Sequence, residues 1–204
     1  MSEQLGLRER KKRRTKQALV EAALRLFDAK GYDSTTVAEI AATAEVSPAT
    51  FFNYFATKDE VVFADDAIYG ELLQQAFADR AAGESPEDLL LRTIDRLSTA
   101  ESWSFPLDHE LTRVRARLIA EVPALRAGAL LRNASLQQQL AHGLREAYPD
   151  DLDELTAAAL TGALLGAIDA AMHAEIAGTT SDVVRRAAGI ALRGRANPDG
   201  ASHL

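Results

Sequence analysis

Apolar residues recur along most of the chain at intervals of three and four, the spacing that lines one face of an α-helix. Nowhere do they alternate in a way that would build a strand pair or hairpin. In the first such segment Leu19, Ala22, Ala23, Leu26 and Phe27 share a face and Gly31 supplies a stop, so a helix is expected over about residues 8–30. Thr36 with Glu39 forms a capping box ahead of Ile40 and Ala41, opening a short helix that ends near Ala44. Ser47 caps a third, with Pro48 at its first position, where a missing N–H costs nothing. Thr57 and Glu60 repeat the box and predict a long fourth helix through about Arg80. Ser85-Pro86 opens a fifth to about Ala100, and residues 101–106 read as a loop. Further helices are expected over about 107–122, from Pro123 to about Tyr148, and over about 152–177 and 181–195. The pattern predicts an all-α chain of about nine helices.

Two of these helices, within residues 36–58, are about two turns long and joined by three or four residues, the dimensions of a helix-turn-helix. Ala41 and Ala44 supply the small residues that such a crossing needs. Val37, Ile40, Val46, Phe51 and Phe55 supply apolar anchors beneath it. The outer face of the second short helix then carries Pro48, Ala49, Thr50 and Asn53. Short side chains let the backbone approach base edges. Asn53 can pair with adenine, and Thr50 can offer a methyl to thymine or a hydroxyl to a base or phosphate. Thr36, Tyr54 and Lys58 fall where backbone phosphates would lie.

Charge changes the picture through its distribution. The net charge of −7 over 204 residues argues against a polyanionic partner. Yet residues 8–16 hold seven cations and one anion, and residues 1–60 hold ten against nine. A basic tip on an acidic body orients the tip toward phosphate. Arg13 and Arg14 are the candidate phosphate contacts in that run. The chain has no cysteine, which excludes disulfides, thiol catalysis and cysteine-ligated metal. His109 and His142 stand alone, so no metal site is expected. No nucleophile elbow, phosphate loop or H-E-x-x-H motif occurs, and no enzymatic role or cofactor is expected. The longest weakly polar run, 157–168, reads as too short to cross a bilayer, and no signal-peptide pattern precedes the charges; a cytoplasmic protein without a membrane partner is expected.

With these residues in hand, the segment from about Arg13 to Phe63 resembles the DNA-binding domain of the TetR family of bacterial transcriptional regulators. The resemblance rests on AALRLFDAKGYDSTTVAEIA, on VSPATFFNYF and on ATKDEVV, about a quarter of the chain. It implies a helix-turn-helix domain over residues 8–57 and an effector-binding and dimerisation domain over 58–204. It also implies a homodimer, usually a repressor, released from a palindromic double-stranded operator by a small effector. Phosphate and base contacts would fall on Thr36, Pro48, Ala49, Thr50, Asn53, Tyr54 and Lys58. Two departures stand out: Phe52 replaces a tyrosine common in the family, and Glu45 stands where the turn commonly has glycine. A non-glycine residue held there in the left-handed region costs about 1 kcal/mol.

For the second half the readings are coarser. The last two helices are the expected dimer interface, with Gly162, Gly166, Ala187, Ala188 and Ala191 allowing close approach and Leu165 and Ile190 filling between them. The effector site is expected among helices four to eight, walled by Ala, Leu and Ile and therefore suited to a largely apolar molecule. Trp103 and Phe105 are candidates for its mouth, Asp169 and His173 for a polar contact; the alternative for Asp169 is an ion pair with His173 or an arginine.

Overall fold

The structure is a computed structural model that describes residues 2–100, 104–174 and 176–194. Among the described residues it is all-helical: α1 (Ser2–Lys30), α2 (Val37–Thr43), α3 (Pro48–Phe52), α4 (Asp66–Ala78), α5 (Pro86–Thr99), α6 (Glu110–Glu121), α7 (Pro123–Ala147), α8 (Glu154–His173) and α9 (Thr180–Arg193). It divides into two compact units. One contains the described residues up to Ile68 together with those from Ser104 to Ala129; the other contains 69–100 and the described residues of 130–194.

Three of the caps read from the sequence are formed. Thr36 and Glu39 form the full reciprocal box before α2, and Ser47 accepts the Thr50 N–H before α3 with Pro48 at the first position. Ser85 does the same for α5, and Asp153 and Thr179, which the sequence pattern did not single out, cap α8 and α9. Each such oxygen satisfies an N–H that the helix itself leaves open, a contribution of about 1 kcal/mol per cap.

Four expectations are corrected. Helix α1 begins at Ser2, well before Arg8. The fourth helix does not start at Thr57: Glu60 instead accepts the Ala56 N–H, a short 3-10 turn spans Asp59–Val61, and α4 begins only at Asp66. Tertiary anchors decide this stretch, because Lys58 donates to the Tyr32 and Thr35 carbonyls and the Tyr32 hydroxyl donates to Asp59. Helix α6 begins at Glu110 after His109, whose Nδ1 accepts the Leu111 N–H, so residues 107–109 belong to the preceding turn. Helix α8 stops at His173, where Ala174 is already extended, four residues short of the expected end. At 20 residues α8 is long and apolar enough to cross a membrane by length and composition, which the sequence reading of 157–168 had denied.

The first unit has one core. Leu19, Val20, Ala23, Leu24 and Phe27 of α1 meet Ile40 and Ala41 of α2, Phe51 of α3 and then Phe55, Val61 and Val62. Leu111 and Leu118 of α6 and Leu125 of α7 enter the same cluster, so α6 is built into the core that holds the helix-turn-helix. Arg25 pairs with Glu110 and Arg117 with Asp28, clasping α1 to α6 at the rim. The second unit buries Leu89, Leu90 and Ile94 of α5 with Leu140 and Leu144 of α7, Leu164 of α8 and Val184 and Ala188 of α9.

The turn between α2 and α3 is the most constrained piece of backbone. The Val46 N–H reaches the Ala41 carbonyl at 2.9 Å and the Glu45 N–H reaches Ala42 at 3.1 Å, the paired bonds of a Schellman motif. That motif needs its middle residue left-handed, and Glu45 has φ +56°, alone in this region among the described non-glycine residues. The left-handed expectation for Glu45 is met, and the packing of Val46 and Ala41 in one core cluster holds it there. Glu45→Gly is therefore expected to stabilise the full chain by about 0.5–1 kcal/mol in urea unfolding, with helical content unchanged.

Candidate nucleic-acid interface

Helix α3 has only five residues, so its two sides are defined by very few side chains. Phe51 is fully buried and Phe55 nearly so, their rings 5.5 Å apart. Tyr54 is half-buried against the same cluster. Ala49 and Asn53, on the side away from Phe51, are exposed, as is Pro48 at the helix start, and Thr50 is half-exposed. Asn53 terminates the helix, its own N–H bonded back to the Ala49 and Thr50 carbonyls, which leaves its side-chain amide outward. This edge offers an amide, a methyl and a hydroxyl group, together with unbulky backbone, to whatever lies against it.

Not every sequence candidate is equally available. The Thr50 hydroxyl lies 2.9 Å from that of Ser47, inside the cap. Thr36 is exposed, but its hydroxyl is 2.8 Å from Glu39 Oε2 and accepts the Glu39 N–H. Lys58 is half-buried, with its ammonium 4.0 Å over the Tyr32 ring and bonded to two carbonyls, so it serves first as a clamp on the loop before α2. Burial, and then the hydrogen bond to Asp59, push the Tyr32 phenol well above its ordinary value, which keeps it a neutral donor in that clamp. Phe52, read from the sequence only as a missing hydroxyl, is 56% exposed and presents its ring beside the outward edge. The i, i+4 spacing of Phe51 and Phe55, named as anchors in the sequence, is what turns Phe52 outward.

Arg13 and Arg14 are exposed on α1, as are Arg8, Arg10, Lys11 and Lys12. Among the described residues no ion pair involves the cations of 8–16, whereas Arg25, Lys30, Arg92, Arg96, Arg115 and Arg117 are all paired. Lys16 is half-buried and donates to the Ala64 carbonyl, whereas the exposed cations without acidic partners are free to meet phosphate.

The effector candidates are not brought together. Trp103 lies outside the described residues. Phe105 is 7% exposed and stacks on His109 within the core of the first unit, so it is a packing residue there and not the rim of an opening. Asp169 and His173 belong to the second unit and pair with each other at 3.6 Å on the surface of α8, not on an apolar face. Among the described residues no group of three or more His, Asp or Glu stands close enough to hold a metal ion.

Residues 19–64 match the model of the bacterial regulatory proteins of the tetR family, and residues 104–190 match that of the MftR C-terminal domain. Over 153 residues the chain is 36% identical to the HTH-type transcriptional regulator TcmR of Streptomyces glaucescens, covering 73% of this chain and 67% of that protein. The chain belongs to the TetR family of bacterial transcriptional regulators. It is a DNA-binding regulator of transcription, and the α2–α3 pair is its helix-turn-helix. Another relative, the HTH-type transcriptional repressor DhaR of a Mycobacterium species, is 32% identical over 122 residues, 60% of this chain and 51% of its own length. Among solved TetR structures, Thermus thermophilus FadR, a repressor crystallised with lauroyl-CoA, superposes with a TM-score of 0.53 at 20% identity over 92% of this chain and all of its own. A TetR regulator of Nitrosomonas europaea gives 0.53 at 22%, over 87% and 95%. Both share the fold.

The electrostatics of the TetR head make a pH prediction. The Lys30 ammonium, and then the Thr36 backbone N–H and hydroxyl, hold the Glu39 carboxyl at about 2, against an ordinary 4.5. A carboxyl lowered on folding stabilises the fold above its unfolded value and loses that contribution as pH falls toward the folded value. Acid unfolding of the full chain followed by circular dichroism is expected to steepen between about pH 4.5 and 2. Glu39→Gln should flatten that portion, and an unchanged profile would count against the box.

Proposed function

We propose that this regulator is a homodimeric repressor that places one α3 in the major groove of each half of a palindromic operator and is released by a small, largely apolar effector. Residues 8–57 carry the DNA contacts, and residues 58–204 bind the effector and the second subunit. The reading is carried by one observation: the exposed residues Ala49 and Asn53 stand opposite the buried Phe51, with exposed Pro48 at the start of the helix. Asn53 reads a base, while Thr50 and Tyr54 contact base or backbone. Arg13 and Arg14 meet phosphates, with Thr36 and Lys58 lending their remaining hydrogen-bonding capacity at the rim. The protein works in the cytoplasm on double-stranded DNA, without a membrane partner.

A head this small reads only half a site, and two-fold pairing is the economical answer. Support for the second subunit comes from α8. Leu155, Ala159, Ala163, Gly166 and Ala170 follow one another at helical spacing, and all are exposed, Leu155 by 75%. Four of the five are small, so two such helices can approach closely. Ile190 of α9 is 46% exposed and extends the apolar surface. The remaining sequence candidates divide. Ala188 is fully buried in its own subunit and is removed from the interface. Leu165 and Ala187 pack partly against that same core, and a methyl at Gly162 would meet Gln137 of α7 at 3.0 Å. Gly166, Ile190 and Ala191 remain interface residues in this proposal. Repressors in the family neighbourhood, DhaR by name and FadR with its lauroyl-CoA, support repression and a ligand with a large apolar part.

Two kinds of contact separate in binding assays on duplexes selected from a random pool. Asn53→Ala is expected to change discrimination by about 1–3 kcal/mol at one position per half-site. Neutralising Arg13 and Arg14 should weaken every duplex alike and flatten the slope of affinity against salt. An Asn53→Ala protein with unaltered sequence preference would show that α3 does not read the base.

The pairing face has its own test. Ala163→Glu puts a charge in the middle of the α8 stripe, where it touches no core residue of its own subunit. Sedimentation should show a folded monomer, with specific duplex affinity lowered at least tenfold because the two heads no longer bind as one. A variant that remains dimeric would place the interface elsewhere.

A further inference from the structure

Asp65, the last residue before α4, is buried in the first unit and accepts three hydrogen bonds: from the Ser104 N–H at 3.1 Å, from the Ser104 hydroxyl at 2.7 Å and from Arg115 Nη1 at 2.6 Å. The Arg115 side chain on α6 is 16% exposed and that of Asp65 6%. Only one edge of the guanidinium is used. Its Nε and Nη2 are both buried and, among the described residues, meet no acceptor. Those two N–H groups lie on the same edge of the planar group and point in parallel, which makes them the fork that takes a carboxylate side-on. A buried donor left open costs about 1–3 kcal/mol. Here two are left open on one cation, and the cation is fixed in place by an Asp that is itself held twice.

We propose that the free Nε/Nη2 edge of Arg115 is the anchor for the carboxylate of the effector. This rests on the reading of the chain as an effector-responsive regulator and adds the chemical class of the effector: a monocarboxylic acid with an apolar body. The chemistry discriminates among ligands. A neutral carbonyl spans the fork poorly and lacks the charge that strengthens both bonds. A phosphate dianion brings two negative charges beside Asp65, whereas a carboxylate brings one, and one guanidinium can serve two carboxylates on separate edges. Leu111 and Leu118, four residues before and three after Arg115 on α6, are buried in the apolar cluster of this unit and favour an apolar body near the head group. A carboxylate here shares the cation with Asp65, the residue that leads into α4.

The test uses the full chain without DNA. Sodium hexanoate is titrated while the Arg115 Nε–H resonance is followed by nitrogen-15 NMR, with hexan-1-ol as the neutral probe of equal length and sodium chloride as the ionic control. A saturable shift with hexanoate alone, weakened at least tenfold in Arg115→Lys, supports the fork. Equal shifts with hexanol would mean apolar burial nearby only, and overturn it. So would an unmoved resonance, with or without an exchange signal to a bound water filling the edge. These readings come from the unsubstituted protein, so they stand even if the variant folds poorly. A second titration in the presence of a selected duplex tests the effector role: affinity should fall at least tenfold once the fork is occupied, and unchanged affinity would overturn that role. Failure to bind any duplex would instead sink the repressor reading while leaving the hexanoate result intact.

Discussion

The burial of Phe51 sets the orientation of α3. Helix α3 makes barely more than one turn, too short to be stable alone. It persists because Ser47 and Pro48 start it and Phe51, fully enclosed by α1 and α2, pins it. With one side chain fixed inward, Ala49 and Asn53 have no choice but to face out. The Schellman turn before it supplies the angle, and it does so with Glu45 held left-handed by the packing on either side. Local strain and tertiary burial are therefore opposite ends of one device.

The same core reaches further than the helix-turn-helix. Leu111, Leu118 and Leu125 lie in it, so α6 and the start of α7 are as much part of the head's support as α1 is. Around that apolar contact run three ion pairs of different character. Arg25–Glu110 and Arg117–Asp28 are exposed and contribute little each, in the range of exposed pairs generally. Arg115–Asp65 is buried, and its removal on one side would strand a charge. Packed side chains thereby join α6 to α3.

Helix α8 poses the opposite problem. It is the most apolar helix of its length in the chain, yet only 22% of its most apolar stretch is buried. One face meets α9 and the second core through Leu164, Ala157 and Ala171; the other, lined with alanine and glycine, is left to solvent in the single chain. An apolar stripe of that length is costly in water, and the proposed second subunit offsets the cost by removing it.

The sequence by itself determined local events: the helix starts at Thr36, Ser47 and Ser85 and the stop at Gly31. Each depends on residues within a few positions of one another, where capping and periodicity are decisive. Where long-range contacts compete, the pattern failed. The Thr57 box lost to the anchoring of Lys58 and Asp59 on Tyr32, and Phe105 and Ala188 were drawn into cores that no spacing reveals. Only the tertiary structure could bring Asp65, Ser104 and Arg115 together, because residues 39 and 50 positions apart meet through the fold and not through the chain. Short-range hydrogen bonds are written in neighbouring letters; burial is settled by whatever arrives from a distance.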